Sequence, residues 1–221
     1  MTGKKEVKTG NKDYTDRVNI IRDKIEQPMI QAKYQYGIEA VIAKLQYIHA
    51  DLTEHLGRPV VRNIFSRIKG VESICKKLEK KELDITFENA VSCLNDIAGV
   101  RVVCFFCDDI YRIEKALREQ KDIKIIKEKD YVKKPKKSGY QSVHLITDVP
   151  IVINSSTEMV RVEIQLRSFA MDYWAELDNQ MCYKKSAGEL ENIEREIRNY
   201  SDVMAEMDNK MLELRKKIES L

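Results

Sequence analysis

One short apolar run constrains the fold of this chain more than any other feature. Val100-Arg101-Val102-Val103-Cys104-Phe105-Phe106 follows the turn-forming stretch Asn95-Asp96-Ile97-Ala98-Gly99. β-branched and aromatic residues in a run of this length, bounded by turn residues, predict a β-strand. Because side chains alternate along a strand, Arg101 is expected on the face opposite to Val100 and Val102.

Helical segments alternate with this strand and with other short strands. Apolar residues at intervals of three and four predict the helices. The predicted helices lie at residues 18–29, 38–56, 72–81, 87–94 and 108–119, the last with Asp108 as N-cap, and another begins after Ser168. The other predicted strands lie at 60–65, 123–126, 142–147 and 159–166, and a turn-rich linker lies at 150–156. This alternation predicts an α/β (α+β) fold in which a mixed sheet of about five strands is flanked by helices.

The two ends of the chain differ from this central part. Residues 1–13 are polar and predict disorder, and residues 14–186 are expected to form one domain that includes N-terminal helices. Apolar residues within 187–221 recur in steps of three and four, as in an a/d seam. They are Leu190, Ile193, Ile197, Tyr200, Met204, Met207, Met211, Leu214 and Ile218. A helix lying on its own domain would also be apolar on one side, but so narrow a stripe favours an oligomerisation helix.

Composition excludes several classes of protein. Of the 221 residues, 43% are hydrophobic and 34% are charged, as in a soluble globular protein. No apolar run approaches the ~20 residues of a membrane span, and the N-terminus lacks the apolar core of a signal peptide, so we expect a cytoplasmic protein with no membrane partner. The net charge of +3 does not indicate RNA binding. An anion site must therefore come from local clustering of charge.

The five cysteines agree with a reducing compartment, because an odd number argues against a disulfide framework. Cys104 and Cys107 form a C-x-x-C pair, but no second pair follows at the spacing of a zinc site. Since the pair adjoins the predicted buried strand, the commoner interpretation is that both are small buried hydrophobes.

Two stretches in the second half of the chain carry the most chemically useful side chains. The cationic run 133–137 is followed by 138–144, which supplies a glycine, an aromatic ring and an imidazole. Tyr140 offers a face on which a nucleobase can stack. Farther along, Glu163 and Gln165 share one face of a predicted strand. Together these stretches predict a site that holds phosphates, stacks a base and handles a proton.

Each of these residues also has an ordinary structural interpretation. A lysine-rich loop is usually solvated, Tyr140 could be a half-buried residue at a strand edge, and His144 is as often a hydrogen-bonded core residue as a ligand contact. The G-x-x-x-x-G-K-[ST] pattern of a Walker P-loop is absent. The prediction therefore depends on several residues coming together.

A carboxylate and several cations precede the central strand or lie on it. Asp96 occupies a turn, where it can hold Mg2+ together with substrate phosphates, although Asp is also common in turns that bind nothing. Arg67 and Lys69 alternate on an extended segment and can face one phosphate. Arg101 can clamp a phosphate or lie flat against a base. Any one of these cations is ordinarily solvated, but their number beside carboxylates favours an anion site.

Five stretches occur in the order and at the spacing of a known family. They are 66–69 (Ser-Arg-Ile-Lys), 96–101 (Asp-Ile-Ala-Gly-Val-Arg), 129–131 (Lys-Asp-Tyr), 136–144 (Lys-Lys-Ser-Gly-Tyr-Gln-Ser-Val-His), and 163–168 (Glu-Ile-Gln-Leu-Arg-Ser) followed by 171–175 (Met-Asp-Tyr-Trp-Ala). Over about residues 30–185 the chain resembles the synthetase domain of the RelA/SpoT-homologue family, and in particular a stand-alone small alarmone synthetase.

The resemblance implies a fold, a reaction and an assembly. The fold is nucleotidyltransferase-like, with helical extensions at both ends. The reaction is transfer of the β,γ-pyrophosphate of ATP to the 3′-hydroxyl of GDP or GTP, which gives AMP and ppGpp or pppGpp in the stringent response. Small alarmone synthetases are typically homotetramers, so the resemblance implies that terminal helices join four copies.

The resemblance also assigns roles to individual residues. Two are implied to be catalytic and to hold Mg2+: Asp96 and Glu163. Four are implied to bind ATP, the first two at its phosphates and the others around its adenine: Arg67, Lys69, Arg101 and Lys129. Five are implied to bind GDP or GTP: Lys136, Tyr140, His144, Gln165 and Asp172. Phosphoryl-type transfer depends on positioning and charge neutralisation, which agrees with a site rich in cations.

The sequence departs from the family pattern at two places. Lys129 stands where the family often has arginine, and Asp178-Asn179 stands where Glu-His is common. The chain has no His-Asp pair of the kind that the family's hydrolase domain uses, so we expect synthesis without hydrolysis. Two alternatives remain, namely a nucleotidyltransferase-like enzyme that releases pyrophosphate and a catalytically inactive oligomer that binds nucleotide or RNA.

Overall fold

The computed structural model describes residues 6–182 and 190–221. These residues form seven helices and five strands. In chain order they are α1 (Glu6–Ile25), α2 (Pro28–Leu56), β1 (Val61–Ile68), α3 (Val71–Lys80), α4 (Phe87–Cys93), β2 (Ala98–Cys104), α5 (Cys107–Arg118), β3 (Lys124–Asp130), β4 (Val143–Ile153), β5 (Ser156–Ser168), α6 (Phe169–Cys182) and α7 (Leu190–Glu219). The predicted α/β fold with a mixed five-stranded sheet is confirmed.

The five strands form one sheet in the order β1-β2-β5-β4-β3. Strands β2 and β5 are parallel, whereas the other three neighbouring pairs are antiparallel. Alternate residues of β2 and β5, such as Val100, Val102 and Ile164, are buried on one face of the sheet. The intervening residues lie on the opposite face, where the candidate site forms.

Helix α2 covers the buried face of the sheet. Pro28 lies in its first turn, where the missing N–H costs nothing, and Gly57 ends it with a φ of 65°. At Gly37 the helix comes so close to the sheet that a Cβ atom would lie 2.6 Å from Val160 Cγ1. This close approach fixes α2 against β5 and thereby helps to determine which face of the sheet stays open.

Strands β4 and β5 form a longer hairpin than the sequence predicts. The expected linker at residues 150–156 is instead mostly strand, because Pro150 pairs with Met159 and Ile153 pairs with Ser156. Only Asn154 and Ser155 turn the chain, with φ angles of 48° and 65°. Two successive positive φ angles are typical of a type I′ turn, whose twist matches that of the paired strands.

Other predictions at element ends also need correction. Helix α2 begins at Pro28 rather than at residue 38 and includes Met29, and β2 ends at Cys104 rather than at Phe106. Helix α1 already includes residues 6–13, which the sequence predicts to be disordered, while residues 1–5 lie outside the described part of the chain. Ile21 and Ile25 are fully buried on the apolar side of α1. Their packing stabilises a helix that the polar residues 6–13 can extend. Helix α5 begins with Phe106 as N-cap, and Asp108 lies inside its first turn.

Asp108 instead joins a network of charges that ties α5 to α7. Its carboxylate contacts Arg112 at 2.7 Å and Arg215 of α7 at 2.6 Å. The neighbouring Asp109 is buried and accepts two hydrogen bonds from Arg58. Helix α7 is therefore anchored to the domain by buried ion pairs as well as by apolar contacts.

The predicted seam of α7 is divided between two faces of the helix. Ile197 is 4% exposed and packs with Trp174 and Ala175 of α6, and Met204 and Ile193 pack against the same cluster. The outer face carries side chains that are between 47% and 62% exposed: Tyr200, Val203, Met207, Met211, Leu214 and Ile218. The inner face therefore packs within the chain, and the prediction of an oligomer contact now concerns the outer face alone. The predicted boundary at residues 186 and 187 lies outside the described residues.

Across residues 6–182 and 190–221, no helix is both long enough and apolar enough to span a membrane.

The β4–β5 turn generates a prediction about stability. Ser155→Gly should raise the free energy of unfolding by about 0.5–1 kcal/mol, because glycine adopts a positive φ without strain. Ser156→Gly is the matched control, since that residue lies in β5 and its hydroxyl donates to the Ile153 carbonyl. It should be destabilising. Denaturant unfolding of the two variants measures both changes, and equal effects would contradict the turn assignment.

Candidate active site

One row of side chains crosses all five strands on the open face of the sheet. Strand register places Phe65 opposite Arg101, Arg101 opposite Gln165, Gln165 opposite His144, and His144 opposite Lys129. Paired residues project from the same face of a sheet. Residues separated by up to 100 positions in sequence are thus brought into one line.

A second row lies beside the first and contains the acidic residue Glu163. In this row Arg67 is opposite Gly99, and Gly99 is opposite Glu163. Because glycine has no side chain, space is left between the guanidinium and the carboxylate. The two rows line a cleft of about 680 Å3. This volume falls in the range of small-molecule and cofactor sites.

Asp96 lies at the end of the cleft and is held by two lysines. Its Oδ2 atom accepts hydrogen bonds from Lys69 Nζ at 2.9 Å and from Lys77 Nζ at 2.6 Å. Burial alone would raise the pKa of Asp96, but the two lysines outweigh burial and lower it. The other oxygen, Oδ1, is buried without a hydrogen-bond partner. Asp96 is therefore an ionised carboxylate with one oxygen available.

Glu163 belongs to a chain of hydrogen bonds whose direction can be deduced. Arg167 donates to the hydroxyl of Tyr140, which lies 2.8 Å from His144 Nε2, and His144 Nδ1 lies 3.0 Å from Glu163 Oε1. Arginine can only donate, so the tyrosine proton is free to point to Nε2. The imidazole then carries its proton on Nδ1 and donates it to Glu163. Gln165 donates to the other carboxylate oxygen.

These donors determine the ionisation of Glu163. Burial by itself would raise the pKa of Glu163, but the hydrogen bonds from His144 and Gln165 more than compensate, so the pKa lies below its ordinary value. Glu163 is therefore a carboxylate at neutral pH. A carboxylate in this state can accept a proton or a cation.

Asp172 connects two arginines from neighbouring strands. Its Oδ1 atom lies 2.9 Å from Arg167 Nη1 and 3.2 Å from Arg101 Nη1. Asp172 and Arg167 are 9% and 6% exposed, respectively. Arg101 also stacks over Phe65, with its Cζ 4.7 Å from the ring centroid. Asp172 thus orients two arginines whose side chains line the cleft, although Asp172 itself does not line it.

The loop between β3 and β4 adds positive charge and two aromatic rings. Lys136 Nζ lies 4.7 Å from the ring centroid of Tyr131 and 4.4 Å from that of Tyr140. Burial, followed by repulsion from Lys129, lowers the pKa of Lys136. Cations in this part of the cleft are therefore close enough to repel each other, and a bound anion would relieve that repulsion.

Most residues that the sequence predicts for the site do line the cleft. They are Arg67, Asp96, Arg101, Lys129, Lys136, Tyr140, His144, Glu163 and Gln165. Lys69 and Asp172 are not part of the lining, and each instead contacts a residue that is. Asp178 and Asn179, which replace a common family pair, also line the cleft.

Comparison with known proteins agrees with this geometry. Residues 66–188 match the model of a region found in RelA / SpoT proteins. The chain is 34% identical to GTP pyrophosphokinase YwaC of Bacillus subtilis over 186 residues, which cover 84% of this chain and 89% of the relative. It is 30% identical to GTP pyrophosphokinase YjbM of the same organism, with 84% and 87% covered.

The chain belongs to the RelA/SpoT family. Solved structures agree with the assignment and confirm the predicted synthetase fold. Small alarmone synthetase 1 from Bacillus subtilis, bound to its product pppGpp, superposes with a TM-score of 0.75 at 31% identity, covering 84% of this chain and 94% of that one. Small alarmone synthetase 2 from the same organism gives a TM-score of 0.72 at 34% identity, with 83% and 96% covered.

Three residues of this RelA/SpoT-family site were missed by the sequence analysis. Arg167 continues the alternation of Glu163 and Gln165 by one more step, so the same pattern would have found it. Tyr131 belongs to a stretch that was recognised without a role being assigned. Lys77 had no such signal, because only the packing of α3 brings it to Asp96.

Burial of the Arg167–Asp172 pair generates a stability prediction. Asp172→Asn should lower the free energy of unfolding by about 3 kcal/mol, because it leaves a buried guanidinium without its counter-charge. Asp148→Asn breaks a similar pair with Arg161, whose side chains are 23% and 35% exposed, and should cost only about 0–1 kcal/mol. Chemical denaturation measures both variants. Similar losses would show that burial does not govern the Asp172 pair.

Proposed function

We propose that the protein is a (p)ppGpp synthetase that acts in the stringent response. The 3′-hydroxyl oxygen of GDP or GTP attacks the β-phosphorus of ATP, the bond between the α,β-bridging oxygen and the β-phosphorus breaks, and AMP leaves. The observation that carries this proposal is the cleft, in which a carboxylate lies between cationic groups on both sides. Relatives named GTP pyrophosphokinases and a neighbour bound to pppGpp support it.

The ATP subsite is proposed at the β1–β2 side of the cleft. Arg67 and Lys69 would bind the phosphates, together with Lys77, since all three cations lie at the Asp96 end. Arg101 is kept in place by Asp172 and Phe65, so its flat guanidinium can lie against the adenine. The resemblance also assigns Lys129 to the adenine, but its strand, β3, lies at the other edge of the sheet, beside the β3–β4 loop.

The acceptor subsite is proposed around the β3–β4 loop. Tyr140 would stack on the guanine, and Lys136 and His144 would contact the acceptor phosphates. Gln165 holds Glu163 and so orients the group that receives the 3′-hydroxyl proton. Asp172 belongs to this subsite indirectly, because it positions Arg167, which contacts both Tyr140 and Gln165.

Mg2+ fits the donors that this cleft supplies. Asp96 Oδ1 is buried and has no hydrogen-bond partner. The charge of Asp96 acts to raise the pKa of Glu163, so the two carboxylates lie close enough to interact with one cation. No group of three or more His, Cys, Asp or Glu side chains suited to a metal occurs in the described residues, and Mg2+ commonly uses one or two carboxylates plus substrate phosphates. When bound, Mg2+ would neutralise phosphate charge. Asp96 and Glu163 are its proposed ligands.

Glu163 is the proposed base for the 3′-hydroxyl. It is ionised, and His144 and Gln165 fix the direction of its lone pairs. A positioned carboxylate of this kind contributes about 10²–10⁴-fold to a rate by accepting a proton in the transition state. Because the pKa of Glu163 is lowered, the side chain is unprotonated at neutral pH, as a base must be before it accepts a proton.

Product analysis tests the reaction. Incubated with ATP, GDP or GTP, and Mg2+, the protein should form AMP and the alarmone in equal amounts, and the alarmone should persist because no hydrolysis is expected. Release of pyrophosphate would instead identify a nucleotidyltransferase. Binding of nucleotide or RNA without turnover would identify an inactive oligomer.

Asp96→Asn should reduce turnover by ~10²-fold or more and raise the Mg2+ concentration needed for half-maximal rate, because a ligand charge is lost. Asp148→Asn, which lies outside the cleft, serves as the folded control with normal turnover. Chromatography of the nucleotides measures both. Normal turnover by Asp96→Asn at unchanged Mg2+ dependence would remove Asp96 from the catalytic site.

We also propose that the protein is a cytoplasmic homotetramer whose copies meet through α7. Its outer face exposes apolar residues at heptad spacing, and covering them would gain about 25 cal/mol per Å2 of apolar area. The helices near the N-terminus also expose large side chains, including Tyr36 and Tyr47 of α2. In a closed assembly of four copies, each chain uses two contact patches. The outer face of α7 and the exposed side of α2 are the two proposed patches. Cytoplasmic location agrees with the reaction's substrates and with four free cysteines among the described residues.

Light scattering tests the assembly. The wild type should have the mass of four chains, and Met207→Glu with Met211→Glu should give smaller species, because an unpaired charge is costly to bury. Met159→Glu is the matched control, since Met159 is 53% exposed and lies in β5. A monomeric wild type at micromolar concentration would refute the tetramer. Ile197 and Met204 are unsuitable for this test, since they pack within the chain.

A further inference from the structure

The inner face of α7 is seated on the loop that carries Lys136 and Tyr140. Ser201 Oγ donates a hydrogen bond of 2.6 Å to the carbonyl of Gly139, and Arg198 Nη1 donates one of 3.1 Å to the carbonyl of Lys137. Both contacts use the loop backbone. The side chains of Lys136 and Tyr140 therefore stay available to the cleft.

The loop has a tight conformation that is matched to α7. It is closed by hydrogen bonds from Gly139 N to Lys136 O and from Lys136 N to Tyr140 O, at 2.9 and 3.1 Å. Gly139 has a φ of 93°, and a Cβ atom there would lie 2.7 Å from Ser201 Cβ. A glycine is thus needed both by the backbone conformation and by the closeness of the helix.

Helix α6 holds α7 in this position. Trp174 is 5% exposed, and its Nε1 donates a 3.0 Å hydrogen bond to the carbonyl of Ile197 in α7. Tyr140 packs against the cluster formed by Trp174, Ala175 and Ile197. The ring of Tyr140, which is proposed to stack on guanine, therefore packs against the junction of α6 and α7.

We propose that Ser201 is a positioning residue for the acceptor nucleotide and that α7 is part of the acceptor site. Ser201 holds the Gly139 carbonyl, and this contact keeps the loop in the conformation that presents Lys136 and Tyr140. The role rests on the proposed function of this loop in binding GDP or GTP. Arg67, on the ATP side, lies on β1, at the edge of the sheet opposite to β3. Loss of the contact should therefore affect the acceptor far more than ATP.

Steady-state kinetics of Ser201→Ala test the proposal. Removing one hydrogen bond to a buried carbonyl should raise the KM for GDP or GTP roughly three- to tenfold, with the KM for ATP and kcat within about twofold of wild type. Ser220→Ala is the matched control, because its hydroxyl also donates to a backbone carbonyl, that of Lys217, far from the loop. It should leave all three constants unchanged.

A second variant and a binding measurement separate a role in acceptor binding from a role in stabilising the fold alone. Arg198→Ala removes the other contact at an exposed position and should raise the acceptor KM about two- to threefold without unfolding the protein. Trp174 is the only tryptophan of the chain, so its fluorescence reports GDP binding at this junction. The midpoint of a GDP titration should shift with Ser201→Ala by the same factor as the KM.

Each outcome has a definite meaning. An unchanged acceptor KM in Ser201→Ala, with or without a lower Tm, would overturn the proposal, as would equal rises for GDP and ATP. If the wild type bound GDP but made no alarmone, the proposed function would fail, and the fluorescence titration would still decide the role of Ser201.

Discussion

The parallel pairing of β2 with β5 is the constraint on which the site depends. It places Gly99 opposite Glu163 and Arg101 opposite Gln165, and the antiparallel strands β4 and β3 extend the row of Arg101 and Gln165 to His144 and Lys129. Because side chains alternate with a period of two, a slip of one residue would turn one strand's contribution toward α2. The buried residues on the opposite face oppose such a slip, so core packing and site geometry are maintained by the same register.

The cleft is organised by pairs of opposite charge before any nucleotide is present. Two lysines hold Asp96, and Asp172 holds Arg101 and Arg167. This arrangement keeps long, flexible side chains in place, and groups that are already oriented need less reorganisation when phosphate charge arrives. It also explains how a chain with a net charge of only +3 offers a strongly cationic site, because the cations are gathered locally.

Helix α7 has different tasks on its two faces. The inner face contacts the β3–β4 loop through Ser201 and is anchored by the buried Arg215. The outer face presents the apolar stripe through which copies are proposed to assemble. The proposed assembly surface and the contact with the β3–β4 loop therefore lie on two faces of the same helix.

The sequence by itself determined most of the elements and most of the residues that line the cleft. Strong period-two and period-3.6 patterns predicted the strand with Arg101, the helix that contains Ile38 and the shared face of Glu163 and Gln165, because such patterns are local. Only the tertiary structure decided which residues of different elements come into contact. It brought Lys77 to Asp96, placed Asp172 behind the cleft wall, and divided the α7 seam into an inner and an outer face. These outcomes depend on which surfaces pack together, and that choice follows from the burial of the whole chain, which no local pattern contains.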